Sequence, residues 1–319
     1  MAPASGRCED AHVISLEENF LRGSYPPLIT PFRHGAVDYD AFAELVELQI
    51  REGSHGIVVC GTTGEPSTLT VEERSQLLEV AIDAAAGRIA VVAASGGQSH
   101  QDTIALTVHA EQAGADAALI VTPYFIRPPQ RGLIEYYLDV AQRTAVPLLI
   151  YHIPGRAAVN VEVDTIERIA EKVPHLVGIK HAANDLTLVT QLLDRFGFDF
   201  RIFVGLEELS FPMLAIGAAG MMNAVGNLVP RKVAALYEQT AAGALAAART
   251  LHFELFELNR AVFFDTNPIP LKYMMRRIGL LAANEHRLPM VPASHELEDK
   301  LDGVLRRAGL IAAGTPSAR

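Results

Sequence analysis

The sequence predicts a (β/α)8 barrel of the TIM type with a C-terminal helical region, and three observations support this fold class. Eight short apolar segments recur along the chain, mostly about thirty residues apart, which is the length of one βα unit. These segments are continuously apolar, as are strands of a parallel sheet covered on both faces. Helix-capping residues lie between them. A doubly wound open sheet is the alternative, but no G-x-G-x-x-G motif follows the first strand.

The predicted strands are short, rich in apolar residues and bounded by turn-forming residues. They are residues 27–30, 56–60, 89–94, 117–121, 147–151, 176–180, 201–204 and 220–223. Four helices are predicted after the last strand, at residues 230–240, 244–264, 268–280 and 294–308. The first of these completes the barrel, and the other three form the C-terminal region.

The chain is predicted to divide into four parts. Residues 1–22 form an N-terminal extension, 23–242 the barrel, 243–310 the C-terminal helical region and 311–319 a tail. The extension mixes acidic residues with few consecutive apolar ones, so it lacks the apolar core of a signal peptide. We therefore expect a cytoplasmic protein.

Composition and charge argue against several classes of function. The 319 residues are 50% hydrophobic, which is enough to bury a large core. A net charge of −10 disfavours nucleic-acid and anionic-membrane partners, because both attract a surplus of lysine and arginine. No apolar run reaches the roughly 18 residues of a membrane span. The two cysteines, Cys8 and Cys60, make neither a disulfide framework nor a metal cluster.

Lys180 is the most informative residue, because it ends the apolar segment 176–180. A lysine seldom finishes a buried strand unless it is paired or takes part in chemistry. An amine in a partly apolar pocket can attack a ketone as a free base. The alternative is a lysine that reaches solvent or pairs with a carboxylate, which is the commoner state of an isolated lysine. The residues at the other strand ends favour chemistry.

Polar residues gather at the carboxyl ends of the predicted strands, where barrels of this kind place their active sites. Together they suit a 2-keto acid. Thr62 and Thr63, with glycine-exposed backbone N–H groups, can bind a carboxylate, and Lys180 can form an imine with the adjacent carbonyl. Tyr151 can move protons, and Arg156 can hold a second carboxylate. The protonated imine is itself an electron sink, so we expect no metal or cofactor.

Each of these residues also has a structural interpretation. The Gly-Thr-Thr-Gly segment 61–64 could be only a turn, and Tyr151 could be a core residue with its hydroxyl on a backbone carbonyl. Arg156 follows a Pro-Gly pair and could be a solvated loop residue. Their shared position on one face of the barrel favours a catalytic site.

Six motifs resemble the dihydrodipicolinate synthase / N-acetylneuraminate lyase family of Schiff-base aldolases. They are the segments 61–65 (Gly-Thr-Thr-Gly-Glu), 122–124, 151–156, 178–180, 267–272 (Asn-Pro-Ile-Pro-Leu-Lys) and 287–290. The resemblance extends from about residue 23 to 310. It implies a TIM barrel with three C-terminal helices, assembled as a homotetramer, a dimer of dimers.

The resemblance also implies roles for individual residues. Lys180 would be the imine lysine and Tyr151 the acid/base. Thr62 and Thr63 would hold the carboxylate of the ketoacid, with Thr62 also part of the proton relay. Arg156 would sit at the entrance for the second substrate. Tyr124 and the carbonyl of Met222 would also face substrate.

Several residues depart from the family pattern. The synthases usually carry a second tyrosine after Tyr124, which reaches across a dimer interface into the relay; here it is Phe125. His181 replaces a common glutamate, and it is either packed at the rim or in contact with the distal part of a substrate. His152 replaces a common asparagine, and strand alternation points it away from the barrel interior, so we expect it to be structural.

The positions of the family's lysine-feedback site also differ from the inhibitable enzymes. Val71, Arg74 and Gln98 stand where those enzymes tend to carry histidines and an asparagine. The sequence therefore predicts an enzyme that lysine does not inhibit.

Three functions remain open at this stage. The chain could condense pyruvate with aspartate semialdehyde, or it could use the same imine as an aldolase or dehydratase of a 2-keto-3-deoxy sugar acid. A catalytically silent, ligand-binding barrel is the third. The segment 267–272 and Arg156 favour the first, while Phe125 and His181 weigh against it. The intact Lys180, Tyr151 and both threonines argue against the third.

Overall fold

A computed structural model of the chain describes residues 16–312. Its barrel strands are β1 (Gly23–Ser24), β2 (Gly56–Val59), β3 (Ala90–Ala94), β4 (Ala117–Val121), β5 (Leu148–His152), β6 (Leu176–His181), β7 (Arg201–Val204) and β8 (Gly220–Met221). All are parallel, in the spatial order β1-β8-β7-β6-β5-β4-β3-β2. The predicted fold class is confirmed. Predictions for residues 1–15 and 313–319 lie outside the described part of the chain.

The sheet closes on itself between β1 and β2. The amide of Val58 donates to the carbonyl of Pro26, and the amide of Leu28 donates to the carbonyl of Val58, each at 3.0 Å. The predicted first strand, residues 27–30, is wrong in position, because regular pairing occurs at Gly23–Ser24 against β8. Pro26 and Pro27 have no N–H to donate, which limits pairing there to a single bridge between Pro27 and Val58.

Twelve α-helices accompany these strands in the part of the chain that the structure describes. They are α1 (Tyr39–Arg51), α2 (Val71–Ala85), α3 (His100–Ala113), α4 (Gln130–Ala141), α5 (Pro154–Ala157), α6 (Val163–Ala170), α7 (Leu186–Phe196), α8 (Ser210–Ala215), α9 (Pro230–Ala241), α10 (Leu245–Ala261), α11 (Ile269–Arg277) and α12 (His295–Arg307). Helix α2 begins with a complete capping box, in which Thr70 and Glu73 satisfy each other's backbone amides. None of these helices combines the length and the hydropathy that crossing a membrane requires.

The interior of the barrel is filled by buried side chains, among them Tyr25, Leu149, Tyr151, Phe203 and Met222. Strands β6 and β7 approach closely because residue 178 is glycine. A Cβ atom there would lie 2.0 Å from the carbonyl oxygen of Arg201. The buried guanidinium of Arg201 donates to the carbonyls of Glu17 and Phe20, which fixes the segment before β1 against the start of β7.

The C-terminal helices pack on one another and reach back to the barrel. Tyr273 and Arg277 of α11 both donate to the buried carboxylate of Asp302 in α12, at 3.0 and 2.8 Å. Lys272, on the same helix, points instead toward the turn that follows β2. Helix α11 therefore connects the C-terminal region to the carboxyl end of the barrel.

Candidate functional site

The turn after β2 carries the two threonines and has a tightly specified backbone. Thr62–Gly64 is one turn of 3₁₀-helix, closed by bonds from Gly64 to Gly61 and from Glu65 to Thr62. These bonds leave the amides of Thr62 and Thr63 outside the turn's own pairing. Both amides are therefore available to an anion, as is the hydroxyl of Thr62.

A buried ion pair of Glu65 holds this turn in place. Its carboxylate lies 2.5 Å from the Nζ atom of Lys272 and 3.3 Å from Nδ1 of His286, and all three side chains are at most 1% exposed. Glu65 holds the left-handed conformation, with φ of 54°, which is uncommon for a residue with a side chain. The buried charge pair helps to hold this conformation and fixes the turn to α11.

The side chain of Thr63 faces the segment just before α11 and not open space. Its hydroxyl accepts a hydrogen bond of 2.9 Å from the side-chain amide of Asn267, a residue 204 positions away in sequence. Thr63 is 2% exposed. Its side chain therefore braces the turn, while its hydroxyl proton remains available to donate.

Tyr151 and Lys180 are direct neighbours across β5 and β6, where the strand register pairs them. The Nζ atom of Lys180 lies 4.4 Å from the centroid of the Tyr151 ring. Lys180 is 3% exposed, so it does not reach solvent in the way that an ordinary surface lysine does. Residue 205 is glycine where Lys180 passes β7, and a Cβ atom there would lie 3.0 Å from its Cε atom.

Tyr151 also reaches the threonine turn. Its hydroxyl lies 3.1 Å from Oγ1 of Thr62, a hydrogen bond in which either oxygen can donate. The order along this contact is therefore Lys180, the Tyr151 ring, the Tyr151 hydroxyl and Thr62. A proton can move between Tyr151 and Thr62 beside the lysine amine.

A cavity of about 300 Å³ opens at this end of the barrel. Four of the predicted site residues line it, namely Thr62, Tyr124, Tyr151 and Arg156. Arg156 lies on α5 with its side chain at the mouth, where it is exposed. The segment 266–268 and Met290 form the wall that the C-terminal region contributes.

The other three predicted site residues do not line this cavity; they are Thr63, Lys180 and Met222. Lys180 is covered by the ring of Tyr151. Met222 is 1% exposed, and its amide donates to the carbonyl of Val204 at 2.8 Å. The Tyr151 ring therefore connects Lys180 to the cavity, since it lines the cavity and also lies against the lysine amine.

Phe125 points away from the cavity that the neighbouring Tyr124 lines. Its side chain is 81% exposed and that of Ile126 is 67% exposed, so two large apolar residues stand together on a loop tip. Phe125 also has a φ of 74°, an outlier for an aromatic residue. This tip contributes nothing to the site of its own chain.

His152 and His181 are both buried and contact each other. Their Nδ1 atoms lie 3.1 Å apart, and their rings are stacked with centroids 5.2 Å apart. Burial lowers the pKa of His152 to about 4, with a smaller contribution from the nearby His181. His181 is 0% exposed, so it is packed and does not line the cavity.

Cys60 is a buried free thiol next to the threonine turn. Burial raises its pKa to about 11, which leaves it protonated and unreactive at neutral pH. Within residues 16–312, no three histidine, cysteine, aspartate or glutamate side chains are grouped to hold a metal ion.

Glu207 is a buried carboxyl group near Lys180 that the sequence did not reveal. One of its oxygens accepts a 2.6 Å hydrogen bond from the amide of Ala224. Burial raises the pKa of Glu207 to about 7, against the opposing effects of that hydrogen bond and of the charge on Lys180. In the sequence, only its position shortly after β7 could have distinguished Glu207 from an ordinary acidic residue of a loop.

Replacing Glu207 with glutamine is expected to change how stability depends on pH. The folded pKa lies above the unfolded value near 4.5, so this group's stabilisation is complete below about pH 4.5 and is lost as pH rises through about 7. The loss amounts to at most ~3 kcal/mol by pH 8. Glutamine does not titrate, so urea midpoints of the variant should fall less between pH 5.5 and 8.5. Glu208→Gln, at an exposed neighbour, is the control, and equal slopes in wild type and Glu207→Gln would contradict the assignment.

The fold and its site define a barrel enzyme of the lyase class, and comparison with known proteins gives its family. The chain belongs to the dihydrodipicolinate synthetase family, whose model matches residues 20–308. It is 45% identical over 292 residues to 4-hydroxy-tetrahydrodipicolinate synthase of Thermus thermophilus, covering 91% of this chain and 97% of that protein. The family resemblance predicted from the motifs is confirmed.

Solved structures agree with this assignment. Dihydrodipicolinate synthase from Aquifex aeolicus superposes with a TM-score of 0.89 at 40% identity, covering 91% of this chain and 98% of that one. The chloride-inhibited dihydrodipicolinate synthase from Acinetobacter baumannii, complexed with pyruvate, gives a TM-score of 0.88 at 34% identity, covering 91% and 100%.

Proposed function

We propose that this chain is a 4-hydroxy-tetrahydrodipicolinate synthase that condenses pyruvate with aspartate semialdehyde through a lysine imine. One observation carries the proposal: Lys180, Tyr151 and Thr62 lie in contact at the carboxyl ends of three strands. The Lys180 amine is 4.4 Å from the Tyr151 ring centroid, and the Tyr151 hydroxyl is 3.1 Å from Thr62 Oγ1. Amine, proton carrier and carboxylate-binding turn thus share one small volume.

The first step joins pyruvate to the lysine. The amides of the turn hold the pyruvate carboxylate, and the Lys180 amine attacks the keto carbon to form a carbinolamine. Tyr151 donates a proton to the departing hydroxyl, so water leaves and a C=N bond forms. Thr62, which shares a hydrogen bond with Tyr151, passes a proton to or from the tyrosine.

The second step forms the carbon–carbon bond. The protonated imine withdraws electrons, so the Tyr151 oxygen, which gave up its proton in the first step, takes one from the pyruvate methyl group. The resulting enamine attacks the aldehyde carbon. Tyr151 can supply the proton that the aldehyde oxygen takes up. Arg156 stands at the cavity mouth and can bind the carboxylate of aspartate semialdehyde bidentately.

A homotetramer, built as a dimer of dimers, fits the exposed apolar loop tip. Phe125 and Ile126 would be covered by a second copy, since two large adjacent apolar side chains seldom stay in water. The partners proposed are otherwise small molecules alone, the ketoacid and an aldehyde, and the proposed location is the cytoplasm.

Phe125→Tyr is expected to raise the condensing activity toward aspartate semialdehyde by several-fold. The hydroxyl would enter the partner's proton relay if the loop tip reaches across an interface, and removal of one acid/base group costs ~10²–10⁴-fold in general. Steady-state rates with pyruvate and aspartate semialdehyde measure the effect. Ile126→Tyr adds a hydroxyl on the same tip and serves as the control. An unchanged rate in Phe125→Tyr would mean that the relay does not limit this enzyme.

An aldolase or dehydratase of a 2-keto-3-deoxy sugar acid is the second candidate. Phe125 favours it, because a site without the second tyrosine hydroxyl lacks part of the relay of the synthases. A panel of aldehydes offered with pyruvate separates the two candidates. A preference for a neutral sugar aldehyde over aspartate semialdehyde would select the second.

Millimolar lysine is expected to leave the initial rate unchanged. The Arg74 guanidinium donates to the carbonyls of Ala94 and Gly96, at 2.7 and 3.1 Å, and contributes to the wall of the main cavity. A fixed cation there repels the ammonium groups of lysine. Initial rates with and without lysine, at subsaturating pyruvate, test this, and half-inhibition at millimolar lysine would contradict it.

The test of the proposed function is to trap the imine. Wild-type protein is treated with pyruvate and borohydride, and its intact mass and peptide map are measured. A stable pyruvyl adduct on Lys180 is the expected result. Folded protein without an adduct would overturn the pyruvate-imine mechanism.

A further inference from the structure

Asn160, His152, His181 and Asp185 form one hydrogen-bonded chain across the outer face of β5 and β6. The two histidines meet through their Nδ1 atoms at 3.1 Å. Nε2 of His181 lies 2.9 Å from the carbonyl oxygen of Asp185, and Nε2 of His152 lies 3.4 Å from Oδ1 of the Asn160 side-chain amide. Both imidazoles are buried, at 4% and 0% exposure, while Asn160 is exposed.

The chemistry of the partners allows one order of protons along this chain when both rings are neutral. A carbonyl only accepts, so Nε2 of His181 carries the hydrogen and donates to Asp185. Nδ1 of His181 then carries no hydrogen and accepts a hydrogen bond from the Nδ1–H group of His152. Nε2 of His152 then carries no hydrogen, and Oδ1 of Asn160, the atom that lies against it, cannot donate. A 180° rotation of the Asn160 amide brings its NH₂ group to Nε2 and completes this order.

The surroundings keep both rings neutral. Burial lowers the pKa of both histidines, and a second positive charge 3.1 Å away would oppose protonation further. The facing charged group is the carboxylate of Asp185, which is occupied as the cap of α7 by the amides of Thr187 and Leu188. The proton order is therefore stable at neutral pH.

This chain of hydrogen bonds connects the backbone segments that carry the proposed catalytic groups. Tyr151 and Lys180 are paired in register, and the next pair along the same strands is His152 and His181. Side chains alternate along a strand, so the histidines stand directly behind the tyrosine and the lysine. The contact between His152 and Asn160 also closes the loop between these two residues, which contains the short helix α5 and Arg156.

We propose that His152 and His181 are positioning residues, whose ordered hydrogen bonds hold Lys180 and the Arg156 loop in the geometry that the two substrates require. The inference rests on the proposed imine mechanism. A small displacement of a reacting amine is enough to slow its reaction, since about 1 Å of misplacement costs ~10²-fold.

Two variants at one position separate positioning from packing. In His181→Gln, the side-chain amide can donate to Asp185 and accept from His152, so the order of bonds is kept. His181→Met is of similar size and makes neither bond. We expect His181→Met to slow borohydride-trapped imine formation by roughly tenfold and to raise KM for aspartate semialdehyde, while His181→Gln stays within about twofold of wild type.

A double variant keeps the proposal testable if a single variant fails to fold. His152→Leu/His181→Leu removes both members of the pair together, so neither ring is left with an unpaired buried nitrogen. The expected result is a folded protein, by circular dichroism and thermal denaturation, with the same tenfold loss in imine formation. Wild-type rates per folded molecule in this variant or in His181→Met would overturn the proposal. Wild-type protein that forms no adduct overturns the imine mechanism, and the positioning role with it.

Discussion

Replacing Lys180 with alanine is expected to abolish both turnover and the pyruvyl adduct, with a residual rate below about 10⁻⁴ of wild type. No other amine of the described site can take its place. Lys272 approaches the threonine turn, but its Nζ atom is held 2.5 Å from the carboxylate of Glu65 and 2.9 Å from the carbonyl of Glu285. An amine held between a carboxylate and a carbonyl oxygen is not free to attack a ketone.

Lys172→Ala provides the matched control, because that lysine is exposed on the helix side of the barrel. It should keep wild-type turnover and the full adduct mass. Circular dichroism of both variants establishes that they are folded. Turnover at the wild-type rate in Lys180→Ala, or an adduct that moves to Lys272, would contradict the assignment of the imine lysine.

The fold was predictable because local sequence patterns, namely short apolar runs and helix caps, mark most strands and helices of the barrel. Seven of the eight strands begin and end within two residues of their predicted positions. The exception, β1, ends at Ser24, whereas the predicted strand began at Pro27. Its pairing depends on a partner, β8, almost two hundred residues away, and no local pattern reveals such a partner.

The candidate site was predictable only where it follows from strand ends. Thr62, Tyr151 and Lys180 come directly after or at the end of their strands, so their meeting follows from the barrel alone. The brace between Asn267 and Thr63, and the buried charge of Glu65 against Lys272, join the barrel to the C-terminal region. Such contacts depend on how α11 docks, which periodicity does not specify.

Burial depth was the second property that the sequence could not supply. His181 ends β6 and Glu207 follows β7, and either residue could equally have been exposed at the rim. In the structure one is fully buried against His152 and the other is buried with its pKa raised. Depth is set by the loops and helices that cover a strand end, so polar residues of the same type there can differ completely in chemistry.

Tyr151→Phe is expected to reduce turnover by ~10²–10⁴-fold while leaving the fold intact. The ring remains, so its packing in the barrel interior and its contact with the Lys180 amine remain. Only the hydroxyl is lost, and with it the 3.1 Å hydrogen bond to Thr62. Imine formation measured by rapid borohydride trapping should slow with turnover, because carbinolamine breakdown needs the same proton.

Tyr124→Phe is the control for this experiment, since it removes another tyrosine hydroxyl from the wall of the same cavity. Its effect should be much smaller than that of Tyr151→Phe. Thr62→Val tests whether the two hydroxyls act as one relay. If they do, the double variant Tyr151→Phe/Thr62→Val should lose little more activity than Tyr151→Phe alone. Independent, multiplying losses would instead assign Thr62 to carboxylate binding and leave Tyr151 as the sole proton carrier of its own chain's site.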